Sequence, residues 1–171
     1  MTKKSRCRAR QPAFGRVQKA LGYINDVELF FNETDTAVPL LIEVFKKADA
    51  DFKDEIIFLL GSNAHRKVCA WLYAVMADSG EKESTRQSAA LQISVTAAIL
   101  DDTDDLTEKL LVDTENPDPV LRRLAVLALG WEGNHRAMAG LAELTRANDP
   151  VIRKTAAVAL THLQINYGQS L

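Results

Sequence analysis

The pattern of apolar and polar positions predicts helices, not strands, along the body of the chain. No run alternates apolar and polar residues between hairpin signals, so no sheet is expected. Residues 56–60 and 120–129 are apolar almost all round, the pattern of helices with neighbours on several sides. Residues 68–76, VCAWLYAVM, read as core, with Trp71 inside it. Asp118 and Asp149 each precede a proline. An aspartate can cap a helix N-terminus, and Pro119 or Pro150 then takes the first helical position, where its missing N–H has no cost. Gly61 and Gly130 stand where a helix must stop and turn.

The pattern repeats. Residues 118–131, DPVLRRLAVLALGW, match 149–162, DPVIRKTAAVALTH, at an offset of 31. A third copy lies at 49–61 and a weaker one begins at Lys82, where Arg86, Ala89, Leu91 and Ile93 take the conserved places of the unit. Starts at 49, 82, 118 and 149 are spaced as helix–turn–helix units stacked on one another would be. The second helix repeats too: LIEVFKKAD at 41–49 aligns with LAELTRAND at 141–149. A partial repeat, with its second helix near 36–48, therefore precedes residue 49.

The motif Asp-Pro-Val-x-Arg-x-x-Ala-x-x-Ala-Leu-Gly resembles the HEAT family, in the short bacterial-type repeats first associated with phycobilin lyases. The resemblance covers about residues 36–165 and is most specific at 118–160. It implies an all-α, armadillo-like superhelix, a solenoid of stacked antiparallel helix pairs. It also implies that helices near 64–77, 104–114 and 134–147 line the concave side.

Charge divides the chain. Residues 1–20 hold seven of its 21 basic groups (Lys3, Lys4, Arg6, Arg8, Arg10, Arg16, Lys19) and none of its 23 acidic ones. The expected organisation is a basic arm over 1–12 followed by one repeat domain over 13–171. The arm reads as a solvated tail, with a mitochondrial presequence or a nucleic-acid-binding arm as alternatives. Two cysteines, Cys7 and Cys69, are too few for a disulfide framework, and this favours a reducing, cytoplasmic setting. No stretch of about 18 uninterrupted apolar residues is present, so no membrane span is expected.

Candidate chemistry is sparse. His65 and His135 each open a second helix beside an arginine. His65, Arg66, Lys67, His135 and Arg136 thus form a candidate basic rim for an anionic partner. Neither histidine has an evident nucleophile or converging ligands, so no catalytic residue, metal or cofactor is expected. The paired His-Glu ligands of the HEAT-like deoxyhypusine hydroxylases are missing, because Arg66, Arg136 and Leu163 follow the three histidines. The acidic body speaks against a DNA glycosylase of similar architecture. Asp101, Asp102, Asp104 and Asp105 lack the glycine and distal glutamate of an EF-hand loop, so they read as an acidic patch for a basic partner, this protein's own arm included. The recurring Arg122, Arg153, Arg86 and Lys53 are expected to bond carboxylates or turn carbonyls of neighbouring repeats. Helix 150–165 copies a buried helix with little chain after it. Ile152, Ala156, Leu160 and Leu163 are therefore expected to lie uncovered and to meet a partner or a second copy in a homodimer. The function implied is a protein–protein interaction or scaffold module rather than an enzyme. The alternatives are a phycobilin-lyase-type subunit and nucleic-acid binding through the arm.

Overall fold

The computed structural model describes residues 11–63, 65–131 and 134–164, and within them the chain is all-α, with ten helices and no strand. No helix among the described residues is long and apolar enough to cross a membrane. The chain divides into two compact units, one ending at Leu60 and the other opening at Gly61.

The first unit holds α1 (Gln11–Asn25), α2 (Val27–Asn32), α3 (Thr34–Phe45) and most of α4 (Ala50–Gly61). Helices α1, α2 and α3 pack on one another. Ala20, Tyr23, Phe30, Ala37 and Leu41 are fully buried there. Asp26 caps α2 by accepting the Leu29 N–H at 2.9 Å, and Asp49 accepts that of Phe52 at 3.0 Å ahead of α4. The Tyr23 hydroxyl donates to Glu33 at 2.6 Å, and Lys19 lies 5.5 Å from the Tyr23 ring centre. Glu33, an exposed carboxylate, is held below the usual carboxylate range chiefly by that tyrosine bond.

The second unit contains α5 (Arg66–Ala77), α6 (Glu83–Ala97), α7 (Asp104–Asp113), α8 (Pro119–Ala128), α9 (Ala137–Leu144) and α10 (Pro150–Gln164). Helix α6 packs on α5 and α8, and α10 on α8 and α9; α7 touches both α8 and α9. The second helices expected near 64–77, 104–114 and 134–147 are α5, α7 and α9. The aspartate caps are in place: Asp118 accepts the Val120 N–H at 2.9 Å and Asp149 that of Val151 at 2.8 Å, each ahead of its proline. The degenerate repeat departs at this point, since Lys82 begins α6 with no side-chain cap bond.

Gly130 has a different task from the turn expected of it. Its φ is not in the left-handed region, and a β-carbon built there would lie 2.8 Å from the Ala159 α-carbon. Glycine is required because α10 passes directly against the end of α8. Trp131 is the buried tryptophan, at 3% exposure, whereas Trp71 is only half-buried.

The C-terminal face is a correction. Ile152, Ala156 and Leu163 are buried, at 4%, 0% and 2% exposure, and Leu160 is half-buried. Because α10 copies α8, these positions are its inward face, and they pack within the chain on the side of α8 and α9. Ile152, Ala156 and Leu163 are therefore not the uncovered face that was expected. The exposed large apolar side chains of α10 are instead Val151 and Val158.

Candidate functional site

The recurring cation position does not behave uniformly. Arg86, only 5% exposed, donates from Nε to the Met76 carbonyl at 2.8 Å and from Nη2 to Asp118 Oδ2 at 2.7 Å. One side chain thus ties the end of α5 to the cap of α8. The Arg86 guanidinium holds the Asp118 carboxyl below the usual carboxylate range. Arg153 donates to the turn carbonyls of Ala147 and Asn148, both at 2.8 Å. Lys53 lies over the Phe45 ring at 4.9 Å. Arg122 departs from the expectation: among the described residues its side chain makes no hydrogen bond or ion pair. Its neighbour Arg123 reaches Glu83 at 2.8 Å instead.

The structure brings the basic rim and the acidic patch together. Arg66 donates to Asp102 Oδ2 at 2.7 Å and to the Asp102 carbonyl at 3.2 Å. Arg136 reaches Asp104 at 2.7 Å and Glu108 at 2.9 Å. The pairing raises both guanidinium groups above their ordinary value and lowers Asp102, with the side-chain hydrogen bond as the leading cause in each case. A free cationic rim and a free anionic patch are therefore replaced by one alternating array. His65 is the N-cap of α5, its Nδ1 accepting the Lys67 N–H at 3.0 Å. Lys67, His135, Asp101 and Asp105 are exposed along the same turns.

A cleft of about 250 Å³ opens between α5 and α7 beside the Arg66–Asp102 end of this array. Cys69, Ala70, Leu100 and Leu106 supply its apolar surface, and Arg66, Asp102, Asp105 and Lys109 its charged edge. Burial pushes the Cys69 thiol up to about 11, so at neutral pH it stays protonated and serves as a small apolar side chain. Tyr73 forms one wall. Its hydroxyl donates to Asp113, and burial followed by that carboxylate raises it well above the ordinary tyrosine value. Asn116 donates to the other Asp113 oxygen at 3.1 Å, so a carboxylate only 8% exposed is bonded on both sides. Lys109 Nζ stands 3.8 Å from the Tyr73 ring centre. Tyr73, Asp113, Lys109 and Leu106 had not stood out in the sequence. One signal was available, since a tyrosine in an apolar helical run needs a partner for its hydroxyl. That partner lies 40 residues on, in the next second helix.

Among the described residues no three His, Cys, Asp or Glu side chains are grouped so as to hold a metal ion. The cleft can grip an apolar or amphipathic side chain, with hydrogen bonds and charge at its edge. Comparison with known proteins finds no matching family model, no matching curated protein and no matching solved structure.

Proposed function

We propose that this chain is a HEAT-like solenoid whose second-helix face binds a protein partner. The solenoid part is supported by the reach of its long-range side-chain bonds. Thr107–Asn134 spans 27 residues, Arg86–Asp118 spans 32, Arg66–Asp102 spans 36 and Tyr73–Asp113 spans 40. Each joins residues about one repeat apart, as in an array whose units meet only their neighbours. The succession α6–α8–α10 then forms one layer, and α5, α7 and α9 the other.

The observation that carries the binding reading is the α5–α7 cleft. Its volume is below the several hundred cubic ångströms usual for small-molecule sites and suits a single inserted side chain. Apolar pockets ringed by charge are where interface anchors seat. The array of Arg66, Asp102, Asp104 and Arg136 presents charges of both signs, which would orient a partner without selecting a polyanion. The free, protonated Cys69 accords with a reducing, cytoplasmic setting.

The test is quantitative affinity capture from native lysate. Wild type is compared with Leu106→Arg, which fills the cleft, and with Val158→Arg, which alters an exposed valine of α10. A partner retained by wild type and Val158→Arg but lost by Leu106→Arg supports the reading. Identical partner profiles for all three proteins refute it.

A further inference from the structure

The cleft between α5 and α7 carries two charged groups that the chain leaves uncommitted. Among the described residues the Asp105 carboxylate makes no hydrogen bond or ion pair, and it acts on Arg66 only through space. Lys109 stands one helical turn further along α7, the favourable order for an acid–base pair on a helix. Yet the two do not pair. The Lys109 ammonium lies instead against the Tyr73 ring, 3.8 Å from its centre. That ring is fixed, because its hydroxyl donates to Asp113, which Asn116 holds from the other side. Asp105 and Lys109 both line the cleft. Arg66 and Asp102, also at its edge, already bond each other at 2.7 Å.

These groups narrow the occupant. An aliphatic side chain would cover the apolar walls of Cys69, Leu100 and Leu106 but leave Asp105 partly desolvated without a donor. An arginine would supply donors but set a third cation beside Arg66 and Lys109. A carboxylate would meet Asp102 and Asp105. Phenylalanine has no donor. An aromatic ring with an N–H answers both charges, because a cation is attracted to the ring face and a carboxylate to the polar edge. Size points the same way. An apolar cavity of roughly 150 Å³ holds one benzene ring. The cleft, at about 250 Å³, has room for two fused rings. Tryptophan combines these properties, as the best ring for a cation and a side chain that only donates.

We infer that the cleft between α5 and α7 receives a tryptophan side chain of the protein partner. Its indole N–H donates to the Asp105 carboxylate, and its ring face meets the Lys109 ammonium. This assignment, which rests on the cleft being the partner site proposed above, makes Tyr73 and Lys109 a platform and Asp105 the acceptor that sets specificity.

N-acetyltryptophanamide is the probe, titrated into the full chain and followed by ligand-observed NMR beside the N-acetyl amides of leucine, phenylalanine and arginine. The tryptophan amide should bind tightest. Leu106→Arg, which fills the cleft, should abolish its binding, and Val158→Arg should not. Methylation of the indole nitrogen removes the donor and should weaken binding roughly three- to tenfold. On Asp105→Ala the methylated and unmethylated amides should bind alike, whereas a merely steric penalty would persist there. Lys109→Met keeps the stem without the charge and should weaken both tryptophan ligands roughly two- to fivefold. Unchanged circular dichroism verifies the fold of each variant. A leucine, phenylalanine or arginine amide that binds as tightly as the tryptophan amide would overturn the inference. So would no tryptophan binding at all, equal binding by Leu106→Arg, undiminished binding by Lys109→Met, or a methylation penalty that survives in Asp105→Ala. The cleft reading answers to a different result: a lysate partner lost by Leu106→Arg keeps it standing whichever amide binds best.

Discussion

Replacing Gly130 by alanine should destabilise the protein, although the same change at Gly15 and Gly22 should stabilise it. At position 130 the new β-carbon would lie 2.8 Å from the Ala159 α-carbon, 2.9 Å from its β-carbon and 3.2 Å from its carbonyl oxygen. Carbon atoms prefer about 3.5–4.0 Å, so α10 must retreat from α8 by roughly 1 Å. The atoms in the way are backbone, and no rotamer change relieves the contact. Overpacking of this kind costs about 1–3 kcal/mol. Alanine restricts the unfolded chain, which offsets about 0.4–1 kcal/mol because the backbone here is not left-handed. The net loss is about 0–2.6 kcal/mol, centred near 1.3, or up to roughly 10 °C in Tm for a chain of this size. Gly15 and Gly22 lie within α1 with nothing inside 4 Å of an added β-carbon. Alanine at each should add about 0.5–1 kcal/mol. Urea unfolding followed by far-ultraviolet circular dichroism measures all three. Ala159→Gly should not rescue Gly130→Ala, since the α-carbon contact persists. A Gly130→Ala protein more stable than wild type by about 0.4–1 kcal/mol, the unfolded-state gain with no overpacking against it, would refute the close-approach argument.

Other outcomes follow from the interior. Arg86→Met should cost about 3 kcal/mol in urea unfolding, the low end for a broken buried pair, because the Asp118 side chain is 33% exposed. The same pair makes stability depend on pH. Asp118 has a depressed folded-state pKa, so its contribution is full above the ordinary carboxylate range and is lost as pH falls through the folded value. The acid arm of the wild-type stability curve should therefore be steeper than that of Arg86→Met, and superimposable acid arms would remove Asp118 from the account. Tyr73→Phe leaves a buried carboxylate with Asn116 as its remaining side-chain partner, at a cost of about 1–3 kcal/mol in thermal unfolding. Leu163→Ala should lose about 2–5 kcal/mol as a core residue, with no change in sedimentation mass. A change in mass without loss of stability would return α10 to the interface reading.

Much of the helical frame was legible because caps and repeats are local. The Asp-Pro pairs at 118 and 149 act within three residues, and the α5, α7 and α9 spans lie where the family resemblance implied second helices. What the sequence could not resolve was which way each face points. Ile152, Ala156 and Leu163 are apolar whether covered by α8 and α9 or by a partner, and composition cannot tell the two apart. The rim was misread for a related reason. Arg66 and Arg136 were grouped by their positions at helix starts, and Asp102 and Asp104 by their adjacency, although the two groups face each other across one repeat. Opposite charges one repeat apart would have been the informative search, and Arg86 with Asp118 would have answered to it as well.

The short reach of the long-range bonds has a consequence for how the second unit acquires its structure. A contact between residues 27 to 40 apart closes a loop of only one repeat, and each further contact closes another of similar size. The entropy lost in loop closure is thereby divided into small instalments. Low contact order of this kind belongs to helical proteins that fold in microseconds to milliseconds. Order can start at any helix pair with enough apolar surface: at α5 with α6, which pack most extensively, or at α8 with α10, joined where Gly130 lets the two backbones touch. From there each neighbour needs only the helix beside it as a template, and the far end of the chain need not be in place.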